Sequence, residues 1–434
     1  MKPVHEEVNR VRENLLLEEA QEVLLNQARP LGEVMVPLTE AWGRVISRDI
    51  RAGANIPPFN KSPLDGYALR ASDTKKASPS NPVGLKVREV VRAGFMPEQE
   101  VIPGTAIKVM TGAPLPAGAD VVIKYEDVKE GKHGIEVYQP LKAGDNIILV
   151  GDDITQGELV SGRGSLVNPA LAGLLASLGL SEIPVFSSIR AAIVSTGDEL
   201  ILPFEPLTPG KIYNSSLYTL AARCRELGVL PAVLGNVSDK AEAVAGCLQQ
   251  GLDTADIVIS TGGVSVGDYD VVRNALLELG TEIIFWKIRM KPGSPLIAAR
   301  KDNKIIIGLS GNPAAAMVSF DLVAVPVLKK MMGQDQLLPR KIKAIFLDRF
   351  DKPSPERRFL RAQLHRRNGM DFVRLTGGQG NGVLKSLVAC NVLIDVPAGS
   401  GPLKTGQQVN AYITGNINES YQDDLRSSLM RIAY

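Results

Sequence analysis

Cysteine and histidine are scarce in this sequence, and each shortage excludes a kind of chemistry. Cys224, Cys247 and Cys390 lie far apart and form no C-x-x-C pair, a pattern that fits neither a disulfide framework nor a structural zinc site. Histidine occurs only as His5, His133 and His365, which disfavours a histidine-rich metal centre or a histidine relay. No stretch approaches the roughly 18 unbroken apolar residues of a membrane span, and MKPVHEEVNRVREN at the N-terminus has no apolar signal core. Charge of one sign is missing as well: a formal net charge of +2 gives no whole-chain attraction to nucleic acid or anionic membrane. The commonest phosphate signatures are also absent. There is no G-x-x-x-x-G-K-[ST], and no G-x-G-x-x-G opens a helix after a strand, which lowers the prospect of a P-loop NTPase or a Rossmann dehydrogenase. The expectation is a cytoplasmic enzyme with no nucleic-acid or membrane partner, in which any anion site is local.

What is present is ordinary globular material. The 434 residues, 44% hydrophobic and 22% charged, suffice for about three domains with cores of their own. Residues 4–28 carry apolar positions at helical spacing and predict one or two amphipathic helices ended by Pro30 and Gly32. Residues 34–38 and 45–50 predict short strands, and the proline-rich loop PPFNKSPLDGYALRASDT follows at 57–74. Residues 83–139 alternate apolar and polar over short runs punctuated by glycine and proline, the pattern of a small β-domain. An alanine- and leucine-rich helix is predicted over 169–178.

From Ile189 the pattern becomes a strand–helix alternation, which predicts a parallel sheet covered on both faces. Ligands bind such sheets at the carboxyl ends of the strands, where TGDEL (196–200), TGGVSVGD (261–268) and SGNP (310–313) fall. After Gly333 the pattern changes to strands separated by turns, predicting a small β-barrel or sandwich of about eighty residues.

The stretch 254–317 concentrates the chemistry. In LSGNPAAA, Asn312 is placed to cap a helix and Pro313 to occupy its first position. Free amides there, with the Ser310 hydroxyl, would face an oxyanion; an ordinary cap with nothing bound is an equally good reading. In STGGVSVGDYD, Gly262, Gly263 and Gly267 give a pliable loop, Ser265 a donor, and Asp268 and Asp270 carboxylates that suit Mg2+. The plainer reading is a glycine turn whose aspartates solubilise it and cap the next helix. In FWKIRMKPG, strand geometry would put Lys287, Arg289 and Lys291 on one face and Trp286, Ile288 and Met290 on the other; a solvated edge strand is the usual explanation of such a run. TGDEL adds Asp198 and Glu199.

Together these pieces resemble the molybdopterin molybdenumtransferase family, which includes the C-terminal enzymatic domain of gephyrin. PPFNKSPLDGYALRASDT, VMTGAPLPAGADVVI, GDDI, STGDEL, NSSLYTLAA, STGGVSVGDYD, KPGSPL and GLSGNPAAA stand in the family's order over roughly residues 15–413. The resemblance implies transfer of molybdate into adenylylated molybdopterin with release of AMP, in a Mg2+-dependent step. It also implies an elongated homodimer with the cleft shared between subunits, and possible contact with the pathway's adenylyltransferase and with molybdoenzyme acceptors.

The implied fold is α/β with additional β-domains. A mixed α/β domain covers 1–56 and 140–186, and a small inserted β-domain covers 57–139. A three-layer α/β domain with a mostly parallel sheet covers 187–335, a β-barrel-like domain 336–414, and a tail 415–434. The resemblance assigns catalytic roles to Asp65, Thr111, Glu199, Lys287 and Lys291, and metal contacts to Asp268 and Asp270. It assigns binding roles to Asp153, Gly197, Asp198, Gly262, Gly263, Ser265, Ser310, Gly311, Asn312, Arg361 and Ser386. The chain departs from the family's usual pattern at Lys61 and Pro63 and at Asn381, where a serine is usual. An adenylyltransferase on a similar α/β domain, or a gephyrin-like scaffold, ranks lower.

Overall fold

The computed structural model describes residues 11–132, 134–264 and 270–415. Its centre is a seven-stranded sheet. In chain order the strands are β1 (Arg12–Leu15), β2 (Arg190–Thr196), β3 (Leu230–Val237), β4 (Ile257–Thr261), β5 (Glu282–Ile288), β6 (Leu296–Lys301) and β7 (Lys304–Leu309). They lie side by side as β1-β5-β6-β7-β4-β2-β3. Only β6 runs against its neighbours; all other pairs are parallel. The carboxyl ends of β2, β4, β5 and β7 therefore open on one edge.

The apolar runs behave as strands buried on both faces must. Ile257, Ile259, Ile305 and Ile307 pack on one side with Leu217, Leu220 and Phe320. Val258 and Ile306 pack on the other with Val244, Leu248, Val272 and Leu276. Helices thus cover both faces, giving three layers. The helical run at 313–331 contains a π-helical turn, Phe320–Ala324, between two α-helical segments.

The N-terminal segment differs from its helical expectation. Residues 12–15 form an edge strand that pairs with β5, Arg12 opposite Phe285 and Leu15 opposite Ile288. The helix spans only Leu17–Gln27, with the Glu19 carboxylate accepting from the Leu16 amide at 2.8 Å. Spacing of four between Val11 and Leu15 fits a helix, but β5 has an open edge that an extended segment satisfies. Leu15, Leu17, Ala20, Leu24 and Ala28 bury in the central core. This part of the segment 1–56 therefore packs with the central layers.

Two other sheets stand apart from this core. Six strands between Gly66 and Val137 form one sheet, and the hydrophobic clusters beneath it draw only on residues 64–147. Strand pairs Glu33–Pro37 with Glu182–Phe186, and Ile50–Arg51 with Leu159–Ser161, gather the chain on either side of it. Beyond residue 340, five strands close into a barrel around Phe346, Leu360, Leu364, Val373 and Ile394, so the choice between barrel and sandwich falls to the barrel.

Candidate active site

Three loops meet at the carboxyl ends of β2, β4 and β7. The Gly262 amide donates to the Leu309 carbonyl at 3.1 Å. Gly262 and Gly263 have φ of 85° and 63°, and a Cβ on Gly262 would stand 2.2 Å from the Thr196 carbonyl oxygen. Glycine is required here by both conformation and space. Gly311 also comes close, since its Cβ would lie 3.3 Å from the Gly262 Cα.

Beneath the loops runs a band of buried polar groups. Ser195 Oγ lies 2.9 Å from Thr261 Oγ1 and donates to Asn214 Oδ1 at 3.3 Å. Asn214 caps the Ser215–Glu226 helix by accepting from the Leu217 amide. The hydroxyls of Thr196 and Ser260 are buried without a partner. In TGDEL, the Asp198 and Asp239 carboxylates each accept from the other's amide. Glu199 borders a small cleft with Thr196, Asn214, Thr261 and Gly311, and its carboxylate folds back against Gly197.

At SGNP the structure corrects the expected cap. Asn312 makes no side-chain capping bond, and the amides of Ala314 and Ala315 are not free. Both donate to the Asn381 carbonyl, at 3.1 and 3.2 Å, so a loop of the barrel closes the helix start. Ser310 is buried, and its hydroxyl accepts from the Asn312 amide at 3.3 Å.

The basic strand also departs from simple alternation. A bulge between Ile283 and Phe285 shifts its register, and Lys287 takes a left-handed φ of 64°. Trp286 consequently packs with the helical layer opposite to that of Ile288 and Met290. The Lys287 ammonium lies 3.8 Å from the centre of the Trp286 ring, and the Arg273 guanidinium lies 5.0 Å from the same centre. Arg289 and Lys291 are exposed beyond the strand. The Lys291 amide donates to the Arg357 carbonyl and its own carbonyl accepts from the Phe359 amide, joining the sheet to the barrel.

Asp270 turns out to be a helix cap, its Oδ1 accepting from the Arg273 amide at 3.0 Å. Its Oδ2 is buried without a partner. Burial raises its pKa, opposed by the Arg273 amide and by the charges of Arg273 and Lys287. Ser265 and Asp268 lie outside the described residues. Among the described residues no three His, Cys, Asp or Glu side chains gather as a metal site.

The remaining expected residues fall into two pairs and one isolated turn. Asp65 Oδ1 accepts from the Thr111 amide at 2.7 Å and from its hydroxyl at 2.8 Å. These bonds hold the Asp65 carboxyl below its ordinary pKa. In the barrel, Arg361 is fully buried. Its Nε donates to Ser386 Oγ at 2.6 Å, and another of its nitrogens donates to the Gly378 and Gly380 carbonyls. Arg361 and Ser386 thus shape the loop that carries Asn381. Asp153 is exposed in a turn whose amide donates to Ile56.

Arg273, Trp286 and Asn214 also stand at this edge. Sequence reasoning passed over Arg273 and Asn214, although a position three residues after a capping aspartate and an asparagine directly before a helix could have found them; nothing in the sequence signalled the Asn381 carbonyl.

Comparison with known proteins decides the relationship. A molybdopterin molybdenumtransferase of Bacillus subtilis (strain 168) is 34% identical over 389 residues, covering 89% of this chain and 90% of that one. The chain belongs to the molybdopterin molybdenumtransferase family. A Staphylococcus aureus (strain MRSA252) member is 32% identical over 403 residues, covering 93% and 96%. The family regions match in order: "MoeA N-terminal region (domain I and II)" over 15–179, "Probable molybdopterin binding domain" over 192–330 and "MoeA C-terminal region (domain IV)" over 343–414. The crystal structure of a molybdopterin biosynthesis MoeA protein from Pyrococcus horikosii superposes with a TM-score of 0.82 at 29% identity, covering 93% of this chain and all of that one. No helix among the described residues is long and apolar enough to cross a membrane.

Proposed function

We propose that this family member inserts molybdate into adenylylated molybdopterin and releases AMP. The observation that carries the reading is the shared edge of the sheet, onto which open both the glycine loops with their buried hydroxyls and the strand that carries Lys287 and leads to Lys291. A tetrahedral dianion needs fixed donors and positive charge in a partly dehydrated place, and this edge supplies them. Lys287 and Lys291 would hold the oxyanion, with Ser310 and Gly311 facing it from the third loop. Gly262 and Gly263 let substrate approach the backbone, while Gly197, Asp198 and Glu199 line the first strand end.

Mg2+ takes one or two carboxylates together with phosphate oxygens and water. The buried, unpartnered Oδ2 of Asp270 fits one such position. The ion, when bound, would neutralise charge on the phosphoanhydride as AMP leaves. Asp65 and Thr111 belong to a part of the chain whose core is separate from this edge, and Asp153 lies in a turn bonded to Ile56. We therefore assign them to the cleft of a partner subunit in a homodimer. Arg361 and Ser386 act through the loop they shape. The adenylyltransferase that makes the substrate, and molybdoenzymes that accept the product, are the proposed partners, and the cytoplasm the proposed compartment.

The test is AMP release from adenylylated molybdopterin with molybdate, with tungstate and with neither. Oxyanion-dependent release is expected, with a fall of at least about a hundredfold in Lys291→Ala. Release that ignores the oxyanion, or adenylylation of molybdopterin by this protein with Mg·ATP, would defeat the proposal.

A further inference from the structure

Lys287 is an unusual place for a left-handed backbone. A non-glycine residue at φ 64° is disfavoured and persists where the surroundings hold it. Here the surroundings are specific. The strand before it delivers Trp286 into the layer of helices at 241–254 and 271–278, and the turned backbone lays the Lys287 ammonium on that same ring. Arg273, one turn into the helix capped by Asp270, brings its guanidinium to the same ring.

Two cations sharing one indole repel each other, and neither forms an ion pair among the described residues. Arg273 Nε and the Trp286 indole N–H are buried without hydrogen-bond partners. The indole N–H faces the Asp270 carboxylate but does not meet hydrogen-bond geometry. Donors and positive charge thus converge around one aromatic face beside the Asp270 carboxylate, and among the described residues Arg273 Nε and the indole N–H find no hydrogen-bond acceptor. An apolar ring is a good platform for a cation, because it attracts the charge through its quadrupole without competing for the hydrogen bonds of an incoming anion. A carboxylate in that position would neutralise the lysine instead.

We propose that Trp286 is a positioning residue for oxyanion binding. Its ring stores the Lys287 ammonium beside Arg273, and the oxyanion draws Lys287 away from the ring, with Arg273 forming a further part of the cationic wall. The inference rests on the proposed molybdate chemistry only for the identity of the anion. The tetrahedral dianion supplies acceptors that the Lys287 ammonium and Arg273 Nε do not find among the described residues.

Trp286 and Trp42 are the two tryptophans of the chain, and Trp42 is 73% exposed. In a Trp42→Phe protein the emission excited at long wavelength comes from Trp286 alone. Titration with molybdate or tungstate should change that emission, and the change should disappear when Lys287→Ala is added. A flat emission trace overturns the proposal. An emission response without any AMP release supports the cradle and defeats the proposed function instead, so the two failures are distinct.

Kinetics give a second arm. Trp286→Leu keeps apolar bulk but removes the ring. It should raise the half-saturating molybdate concentration roughly tenfold, the scale of a desolvated cation–π contact, with a smaller change in kcat. Trp286→Phe should restore most of the loss. Unchanged half-saturation in Trp286→Leu overturns the proposal; if that variant fails to fold, the emission titration of the intact cradle still decides.

Discussion

The carbonyl of Asn381 accepts hydrogen bonds from the amides of both Ala314 and Ala315. The barrel thereby caps the helix that follows the SGNP loop, and two amides that an anion could have used are already occupied. What the loop offers an oxyanion is the Ser310 hydroxyl and the backbone before the helix.

Because the bond comes from the main chain, the side chain at 381 is expected to matter little. Asn381→Ser and Asn381→Ala should each change stability by less than about 0.5 kcal/mol, read from thermal unfolding. A loss of several kcal/mol would show that the amide side chain carries the contact.

Arg361 should matter far more. It is wholly buried, and it ties Ser386 to the Gly378 and Gly380 carbonyls. Burial already lowers its pKa. Arg361→Lys keeps the charge but loses the planar fork, at a cost of about 3 kcal/mol from bonds to a charged donor. The barrel's unfolding midpoint should fall, and AMP release should fall with it as the Asn381 loop loosens. An unaltered midpoint would argue against the tie.

A pH-dependent effect is expected at the seam between sheet and barrel. Arg223 Nε donates to Asp321 Oδ1 at 3.0 Å, and the same guanidinium bonds Glu226 and the Thr414 carbonyl. Burial pushes Asp321 up to about 6 from 3.8, against the pull of Arg223. Burial pulls Arg223 down, but Asp321 and Glu226 hold it above its ordinary value. A carboxyl raised on folding contributes stability that is full below its unfolded pKa and lost as pH rises through its folded pKa. Arg223→Ala leaves that carboxylate buried and unpaired, costing about 3–5 kcal/mol at pH 8. The cost should shrink at pH 5, where Asp321 takes up a proton. Denaturant unfolding at the two pH values checks the sign.

At Asp65 the expectation is a titration rather than a stability change. Thr111 lowers its pKa through a backbone and a side-chain bond. Thr111→Ala removes the hydroxyl bond and keeps the amide bond, so the Asp65 pKa should move part of the way back up. Carboxyl resonances followed by NMR across pH 2–6 read this directly, given the ordinary aspartate value near ~3.9. No movement would mean that the hydroxyl bond is not made in solution.

Gly262→Ala tests the close meeting of the three loops. Its φ of 85° and the 2.2 Å approach to the Thr196 carbonyl oxygen leave no room for a methyl group. Strain alone costs roughly 1–3 kcal/mol, and the loop must also move. AMP release should drop steeply even in protein that remains folded. Near-normal activity would show that the turn tolerates displacement.

The sequence made the strand ends legible because isoleucine runs buried on both faces have few other readings. Ile257, Ile259, Ile305 and Ile307 placed the TGG and SGNP loops on one edge, and the strands and turns after Gly333 marked a small β-barrel or sandwich. What local pattern could not show was decided by long-range geometry. Leu15 fits a helix as well as a strand until the open edge of β5 is known. The alternation of Lys287, Arg289 and Lys291 fails because a bulge and one left-handed residue change the phase. The resemblance names Arg361 for binding, and only the fold shows that its side chain is buried against Ser386 and the Gly378 and Gly380 carbonyls. Asn381 acts through a carbonyl, a group every residue carries.

Lys291 sits where β5 hands over to the barrel, bonded through its amide to Arg357 and through its carbonyl to Phe359. Its ammonium and the junction of two structural units therefore share one residue. A small tilt of the barrel would steer the lysine's reach, and a molecule gripping the barrel alone would retune the charge offered at the sheet edge. Barrel position and lysine reach would need no relay between them here, because both pass through the same residue.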